Sequence, residues 1–491
     1  MKKHVIKDLE SLKAYCKKIK NPIIGVGART YNLTIGIHNI FNHFEILACK
    51  GGAKETHLIE NKFKVTYLDN LKKDELKNLD NHKTYCANKP QDLFKNKAIL
   101  KYFASFKSKP IFLFFKTSPE IEKVLKEKRY ISVNSDLRMH NKYENKINFQ
   151  NLIDYLKIPS PEHATINANE LDYNRITSLV GKKFVIQKPE SELGSGTFFI
   201  LEEKDFSTTI KKPAIQDAIR KNIDLKITRF INRDCAPSIT VLVSRFGVLY
   251  TGLQKQIIDA EEVTEKSRRS GVYCGHDWTS SRFDPKIQKQ ACEIAEKIGR
   301  YFQEKENFRG IFGIDFVLEK ETNNLYPIEA NVRLLGSFPL ISMIQENAGQ
   351  PIIQALQILE KLNRNDYELD IKSLNNLMAQ NKPGAHLNIH SKNKKTSYVS
   401  GNIRPGIYKV DIANQKVTYS REGVFFSDLN EKNEILLTYG VPHKNRVFEL
   451  HKCMCKLITR GSFLNNNDKL NKFAKIMTNY VYKKLALKPI E

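Results

Sequence analysis

The stretch Leu325-Tyr326-Pro327-Ile328-Glu329-Ala330-Asn331-Val332-Arg333 reads as one strand with two unlike faces. Successive side chains of a strand point to opposite sides, so Glu329, Asn331 and Arg333 share one face and Ile328, Ala330 and Val332 the other. Just upstream, Ile311-Phe312-Gly313-Ile314-Asp315-Phe316-Val317-Leu318 is an apolar strand interrupted by a single carboxylate. Burying that charge alone is costly, so Asp315 is expected to be paired, hydrogen-bonded or bound to a metal. The polar residues 319–324 supply the turn of a hairpin, and a register with Glu319 opposite Leu325 also sets Asp315 opposite Glu329. Facing carboxylates repel unless something positive lies between them. Oxygen ligands from Asp315, Glu329 and Asn331 suit a hard cation, Mg2+ or Mn2+, and Arg333 then points to where charge gathers on a transferring phosphoryl group. An exposed edge hairpin with ordinary surface charges is the plainer alternative, and the apolar neighbours weigh against it.

A second constellation is Phe184-Val-Ile-Gln-Lys-Pro-Glu-Ser-Glu-Leu-Gly-Ser-Gly-Thr197. A strand delivers Lys188, and the loop that follows carries Gly194, Ser195 and Gly196, whose backbone N–H groups are suited to phosphate oxygens. It is no P-loop, because Gly-Lys-Ser/Thr is missing. Near the N-terminus, Gly25-Val26-Gly27-Ala28-Arg29 follows the first apolar run without a third glycine at the dinucleotide spacing, and it reads as a tight turn. The stretch Ser267-Arg-Arg-Ser-Gly-Val-Tyr-Cys-Gly-His-Asp-Trp278 is polar and bears glycine. Its Arg268, Arg269, His276 and Asp277 are candidates for binding a carboxylate substrate, or else a solvated loop.

Composition bounds these readings. A chain of 491 residues with 41% hydrophobic and 27% charged residues is globular and too long for one ordinary domain. Residues 1–135 alternate short apolar runs with polar helical stretches, the pattern of an α/β layer with a parallel, Rossmann-like sheet. A second unit spans 136–362, an Asn- and Lys-rich connector 363–382, and a β-rich domain with a terminal helix 383–491. The N-terminal stripe of Val5, Leu9, Leu12, Cys16 and Ile19 among lysines reads as an amphipathic face. No apolar run is long enough to span a membrane. The eight cysteines show no metal-like spacing, so free thiols in a cytoplasmic protein are expected. The net charge of +26 comes from lysines scattered through every segment, and no nucleic-acid-binding motif accompanies it, so nucleic acid is an unlikely partner.

Taken together and in this order, the two constellations resemble the ATP-grasp superfamily over roughly residues 145–349. The resemblance implies that Lys146 and Lys188 contact nucleotide phosphates together with the loop at Gly194, Ser195 and Gly196. It implies that Thr228, Arg229, Phe230 and Ile231 form the hinge against adenine. It assigns Asp315, Glu329 and Asn331 to the metal and Arg333 to catalysis. The family's hinge usually carries a Glu before its aromatic, where this chain has Thr228 and Arg229. Enzymes similar to biotin carboxylase also place an α/β domain before the unit and a β-rich one after it. They follow the arginine with a His-Pro-Val-Thr-Glu-like segment, and Leu334-Leu-Gly-Ser-Phe-Pro339 stands here instead.

The expectation that follows is an ATP- and Mg2+-dependent carboxylate–amine ligase, with a small-molecule or peptide carboxylate and an amine as substrates and a homodimer among its assemblies. A kinase of the same fold and a non-catalytic nucleotide-binding regulator are the alternatives.

Overall fold

The computed structural model describes residues 3–49, 53–67, 90–133, 136–190, 196–265 and 271–490. The apolar runs of the N-terminal third form a five-stranded parallel sheet in the order Lys64–Tyr67, Phe44–Ala48, Ile23–Gly27, Ile111–Leu113, Ile131–Ser132. Strands this continuously apolar must be covered on both sides. Ile23, Ile46 and Ile111 pack into one core, while Ile24, Val26, Leu47 and Phe112 pack into another with Phe94 and Phe103. The sheet is therefore the parallel layer that the alternation predicts.

The central unit holds two sheets. A small antiparallel one runs His163–Asn167, Asp224–Arg229, Phe184–Gln187, Thr197–Ile200. Helices Tyr173–Val180 and Pro213–Arg220 bury their apolar faces into its core, around Phe184, Ile186, Ile215 and Ile227. The other is a twelve-stranded sheet, antiparallel at every pairing, that begins in the central unit and continues into the C-terminal third. The pairing that joins the two halves sets Gly275, His276 and Asp277 opposite Leu387, His386 and Ala385. Helix Pro285–Glu304, capped by Asp284 with proline at its start, lays Ala291, Ile294, Ala295, Ile298 and Phe302 on that sheet.

Three readings need adjusting. The part of the 267–278 stretch at residues 273–277 is not a solvated loop, since Tyr273–Asp277 is an inner strand of the long sheet with His276 and Asp277 buried. Arg268 and Arg269 lie outside the described residues. Residues 363–382 are built into the fold, because strand Tyr367–Leu369 pairs in parallel with His4–Ile6 and helix Ile371–Met378 buries Leu374 and Met378. Val5 sits on that N-terminal strand and is exposed, while Leu9, Leu12, Cys16 and Ile19 are buried.

No helix among the described residues is long and apolar enough to cross a membrane. The described cysteines Cys16, Cys49, Cys235, Cys274, Cys292, Cys453 and Cys455 are free thiols.

Phe302 shows what holds the long sheet to its helix. It is fully buried, its ring 4.7 Å from Tyr143 and 5.0 Å from Phe312 between centroids. Truncating it to alanine removes the ring from that aromatic packing and leaves a cavity. Phe302→Ala should cost about 3–5 kcal/mol in urea unfolding of the whole chain, and a loss under about 1 kcal/mol would show that the helix is not anchored there.

Candidate active site

The hairpin forms from strands Gly310–Glu319 and Leu325–Asn331. Asp315 faces Glu329 and Gly313 faces Asn331, whereas nearer the turn Leu318, not Glu319, faces Leu325. One extra residue on the second strand, between Pro327 and Glu329, absorbs the difference. The bulge sits beside the proline, which has no N–H to give a ladder, and it leaves Ile328 half-exposed while Ala330 and Val332 join the core. The polar face is thereby kept in line with Asp315.

Across that face runs a chain of short contacts. The Asn331 side-chain amide donates to Asp315 Oδ2 at 2.9 Å, and Arg333 Nη2 donates to Asn331 Oδ1 at 2.6 Å. Gln256, on the next strand but one, donates to Asp315 Oδ1 at 2.6 Å. Arg333 also pairs with Glu144 at 3.1 Å and lies 5.0 Å from the Phe115 ring. Burial first, and the Glu329 charge second, push the Asp315 carboxyl up to about 7, with Arg333 pulling the other way.

A helix and the small sheet supply cations. Lys146 opens the helix Lys146–Tyr155, whose N-cap is Asn145, and its Nζ lies 3.5 Å from Glu329 Oε1. Lys226 is buried on strand Asp224–Arg229, which pairs on both sides, and its ammonium makes no hydrogen bond or ion pair among the described residues. Burial and the neighbouring Lys146 charge hold its ammonium down to about 8, against the pull of Glu329. Lys188 stands apart from this group. Its Nζ approaches Asp217 at 3.9 Å, and its backbone N–H donates to Gly196 O at 2.9 Å, closing the base of the glycine loop. Gly194 and Ser195 lie outside the described residues.

Of the residues expected at the hinge, Thr228 is buried and its hydroxyl has no partner among the described residues. Arg229 is spent on two carboxylates, Glu162 at 2.5 Å and Glu319 at 2.7 Å, and so ties the small sheet to the hairpin. Phe230 donates its backbone N–H to Lys183 O at 2.8 Å and meets Phe199 edge-on at 6.2 Å, with Ile231 half-buried beside it.

The residue types fit a divalent cation in one specific way. Among the described residues no group of three or more His, Cys, Asp or Glu is arranged to hold a metal ion by itself. Two carboxylates and an amide oxygen leave the remaining positions to ligand oxygens, as expected where a metal is shared with phosphates. Sequence reasoning missed Lys226, Gln256 and Glu144. Lys226 carried a faint signal, a lysine between Leu225 and Ile227 in a buried run, whereas Gln256 and Glu144 are ordinary residues that only packing brings here.

Residues 143–337 match the ATP-grasp domain family. The fold resembles the biotin carboxylase domain of Hydrogenobacter thermophilus 2-oxoglutarate carboxylase at 12% identity, with a TM-score of 0.56 over 89% of this chain and 85% of that one. It also resembles N5-carboxyaminoimidazole ribonucleotide synthetase of Thermus thermophilus, at 12% identity and a TM-score of 0.53 over 96% of this chain and 100% of that one. Rhizobium etli pyruvate carboxylase, at 13% identity and a TM-score of 0.55, aligns over 89% of this chain and 36% of its own. No curated protein matches the sequence.

The raised Asp315 pKa has a sign that can be checked in metal-free protein. Between the ordinary value of 3.8 and about 7 the folded state holds a proton that the unfolded state has lost, so stability contributed by that proton falls as pH rises through this window. Asp315→Asn removes the titration. In EDTA, the variant should gain on wild type in urea midpoint from pH 5 to pH 8, and parallel profiles would mean that the carboxylate is not strained by its surroundings.

Proposed function

We propose that this chain, built around an ATP-grasp domain, is an ATP-dependent ligase that activates a substrate carboxylate as an acyl phosphate and joins it to an amine. The observation that carries the reading is the facing pair Asp315 and Glu329, with Asn331 linking Asp315 to Arg333 and with Lys146 and Lys226 close by. Phosphoryl transfer depends on alignment and charge neutralisation more than on a side-chain nucleophile, and this site offers charge and no activated nucleophile.

In this scheme Lys146 and Lys188 hold phosphate oxygens, with the glycines and serine at 194–196 closing over them. Thr228, Phe230 and Ile231 line the nucleotide's edge. Arg229 contributes through its main chain, because its guanidinium already holds Glu162 and Glu319. Asp315, Glu329 and Asn331 would hold Mg2+, or Mn2+ in its place, which supplies the positive charge that two facing carboxylates and a polyphosphate both require. Lys226 adds a cation from below. An oxygen of the substrate carboxylate attacks the γ-phosphorus, the bond to the ADP oxygen breaks, and Arg333 neutralises the phosphoryl oxygens as they shift. The amine then attacks the acyl carbon, phosphate departs, and the amine loses its proton to give the amide.

A carboxylate acceptor is supported by the Hydrogenobacter domain, whose structure contains MgADP and bicarbonate and is described as a dimer. We take a homodimer as the assembly here as well. Arg268 and Arg269 remain our candidates for the carboxylate. The Leu334–Pro339 segment, in place of a His-Pro-Val-Thr-Glu-like one, argues against biotin as the acceptor.

Glu329→Gln and Arg333→Ala should each abolish substrate-stimulated ADP release, by at least about a hundredfold, while leaving the circular dichroism spectrum unchanged. Retained turnover in both would sink the assignment. With hydroxylamine and ATP the wild type should accumulate a hydroxamate in the presence of its acid, whereas a kinase of the same fold would give phosphorylated product and no hydroxamate.

A further inference from the structure

The long sheet carries a feature that the ATP site does not use. Directly paired residues on neighbouring strands share a face. Asp315 pairs with Ser238, and Ser238 with Gln254. Gln256, two residues on, pairs with His276, His276 with His386, and His386's neighbour but one, Asn388, with Lys456, which in turn faces Thr438. A polar stripe therefore crosses the sheet from the carboxylate pair to Lys456, on a face where burial normally selects apolar side chains. Ser238, Gln254, His276, His386, Asn388, Lys456 and Thr438 are all buried.

The near half of the stripe is hydrogen-bonded. Ser238 meets Gln254 at 3.1 Å and His276 at 3.2 Å, and the Tyr273 hydroxyl bridges His276 at 2.6 Å and His386 at 2.8 Å. The far half is not. His386 Nδ1, Asn388 Oδ1 and Thr438 Oγ1 have no partner among the described residues. Lys456, 4% exposed, has neither a carboxylate nor a hydrogen bond there, only the Tyr439 ring 4.2 Å from its Nζ. A lysine is almost never buried without a counter-charge, and each orphaned polar atom adds its own desolvation cost.

Against Tyr439 and Cys453 lies the Arg29 segment, the loop that follows the strand Ile23–Gly27. Strand Ile23–Gly27 has Phe44–Ala48 on one side and Ile111–Leu113 on the other, so the order of winding reverses at its carboxyl end, where open parallel sheets leave a crevice for ligands. Arg29 reaches from that end to Tyr439 O at 3.2 Å and Cys453 O at 3.0 Å. The Tyr31 ring meets Tyr439 edge-on at 5.5 Å, and Tyr31 OH and Asn32 Nδ2 are likewise buried without partners among the described residues. Glu55 takes the backbone N–H groups of Gly440 and Val441 and so fixes the segment beneath.

We infer that this crevice, between the Arg29–Asn32 loop and the Lys456 end of the stripe, binds a phosphate or carboxylate group of the ligase's second substrate, with Lys456 as its charge partner. The inference rests on the ligase reading for the word substrate, not for the anion. Burial holds the Lys456 ammonium down to about 8 and keeps His276 neutral, at about 3, so an anion is the missing partner that would restore the full charge. Three strand spacings, roughly 14 Å, separate the strand of Gln256 from that of Lys456. A small molecule anchored at Lys456 by one end would thus present its other end beside Gln256 and Asp315.

The test uses the full chain and thermal melting in sodium phosphate, sodium succinate and sodium chloride at matched ionic strength, with MgADP as a separate arm. Phosphate or succinate should raise the wild-type Tm above the chloride baseline. Lys456→Met should need at least about tenfold more of the same anion for half the shift. Thr438→Val, which keeps shape and removes one orphaned hydroxyl, should need several-fold more, and it carries the test if Lys456→Met does not fold. MgADP should raise Tm equally in all three proteins. Equal anion responses in wild type and variants, or no wild-type response above chloride, would overturn the proposal. Loss of the MgADP shift in wild type with the anion shift intact would overturn the nucleotide reading instead.

Discussion

Two carboxylates facing each other in a buried hairpin are the constraint around which the central unit is arranged. Asp315 and Glu329 cannot both be ionised in a poorly solvated site unless cations come to them, since their repulsion and their desolvation act in the same direction. The fold answers on three sides. Lys146 enters at the start of a helix, Lys226 rises from the floor of the small sheet, and Arg333 closes the end of the strand while Asn331 and Gln256 satisfy the oxygens of Asp315. None of these contacts cancels the charge fully, because Asp315 still holds its proton up to about neutral pH. The residual deficit is what a divalent cation and a phosphate chain would share.

The two sheets of the central unit must hold a constant relation for this to work. Arg229 ties them, bridging Glu162 on the small sheet's side to Glu319 at the hairpin's end. A guanidinium suits that position because its planar fork serves two carboxylates at once.

Continuing one sheet from the central unit into the C-terminal third has its own consequence. A domain boundary drawn from composition cuts through hydrogen bonds between Tyr273–Asp277 and Ala385–His390. The face of that sheet is therefore common to both parts, and polar residues far apart in sequence, from Asp315 to Lys456, lie in one row. The parallel N-terminal domain covers the far end of the row, which places its first loop against Tyr439 and Cys453.

The sequence by itself determined the elements whose signal is local. Period-two alternation placed Asp315 opposite Glu329, and continuous apolar runs announced the parallel sheet, because each depends only on which side chains neighbour each other along the chain. The proline-linked bulge shifted the register near the turn and left the site unchanged, so that reading succeeded even though one of its steps was off by a residue. Tertiary structure alone decided the rest. Lys226 approaches Glu329 from the other sheet, Gln256 reaches Asp315 across an intervening strand of the same sheet, and Glu144 meets Arg333 from the end of a helix. His276 belongs to a buried strand because its neighbours on both sides pair with it, and Arg29 reaches Tyr439 and Cys453 across most of the chain's length. Hydrogen-bond ladders between distant segments leave no periodic trace in either segment, and a charge buried by a remote domain looks the same in sequence as one left in water.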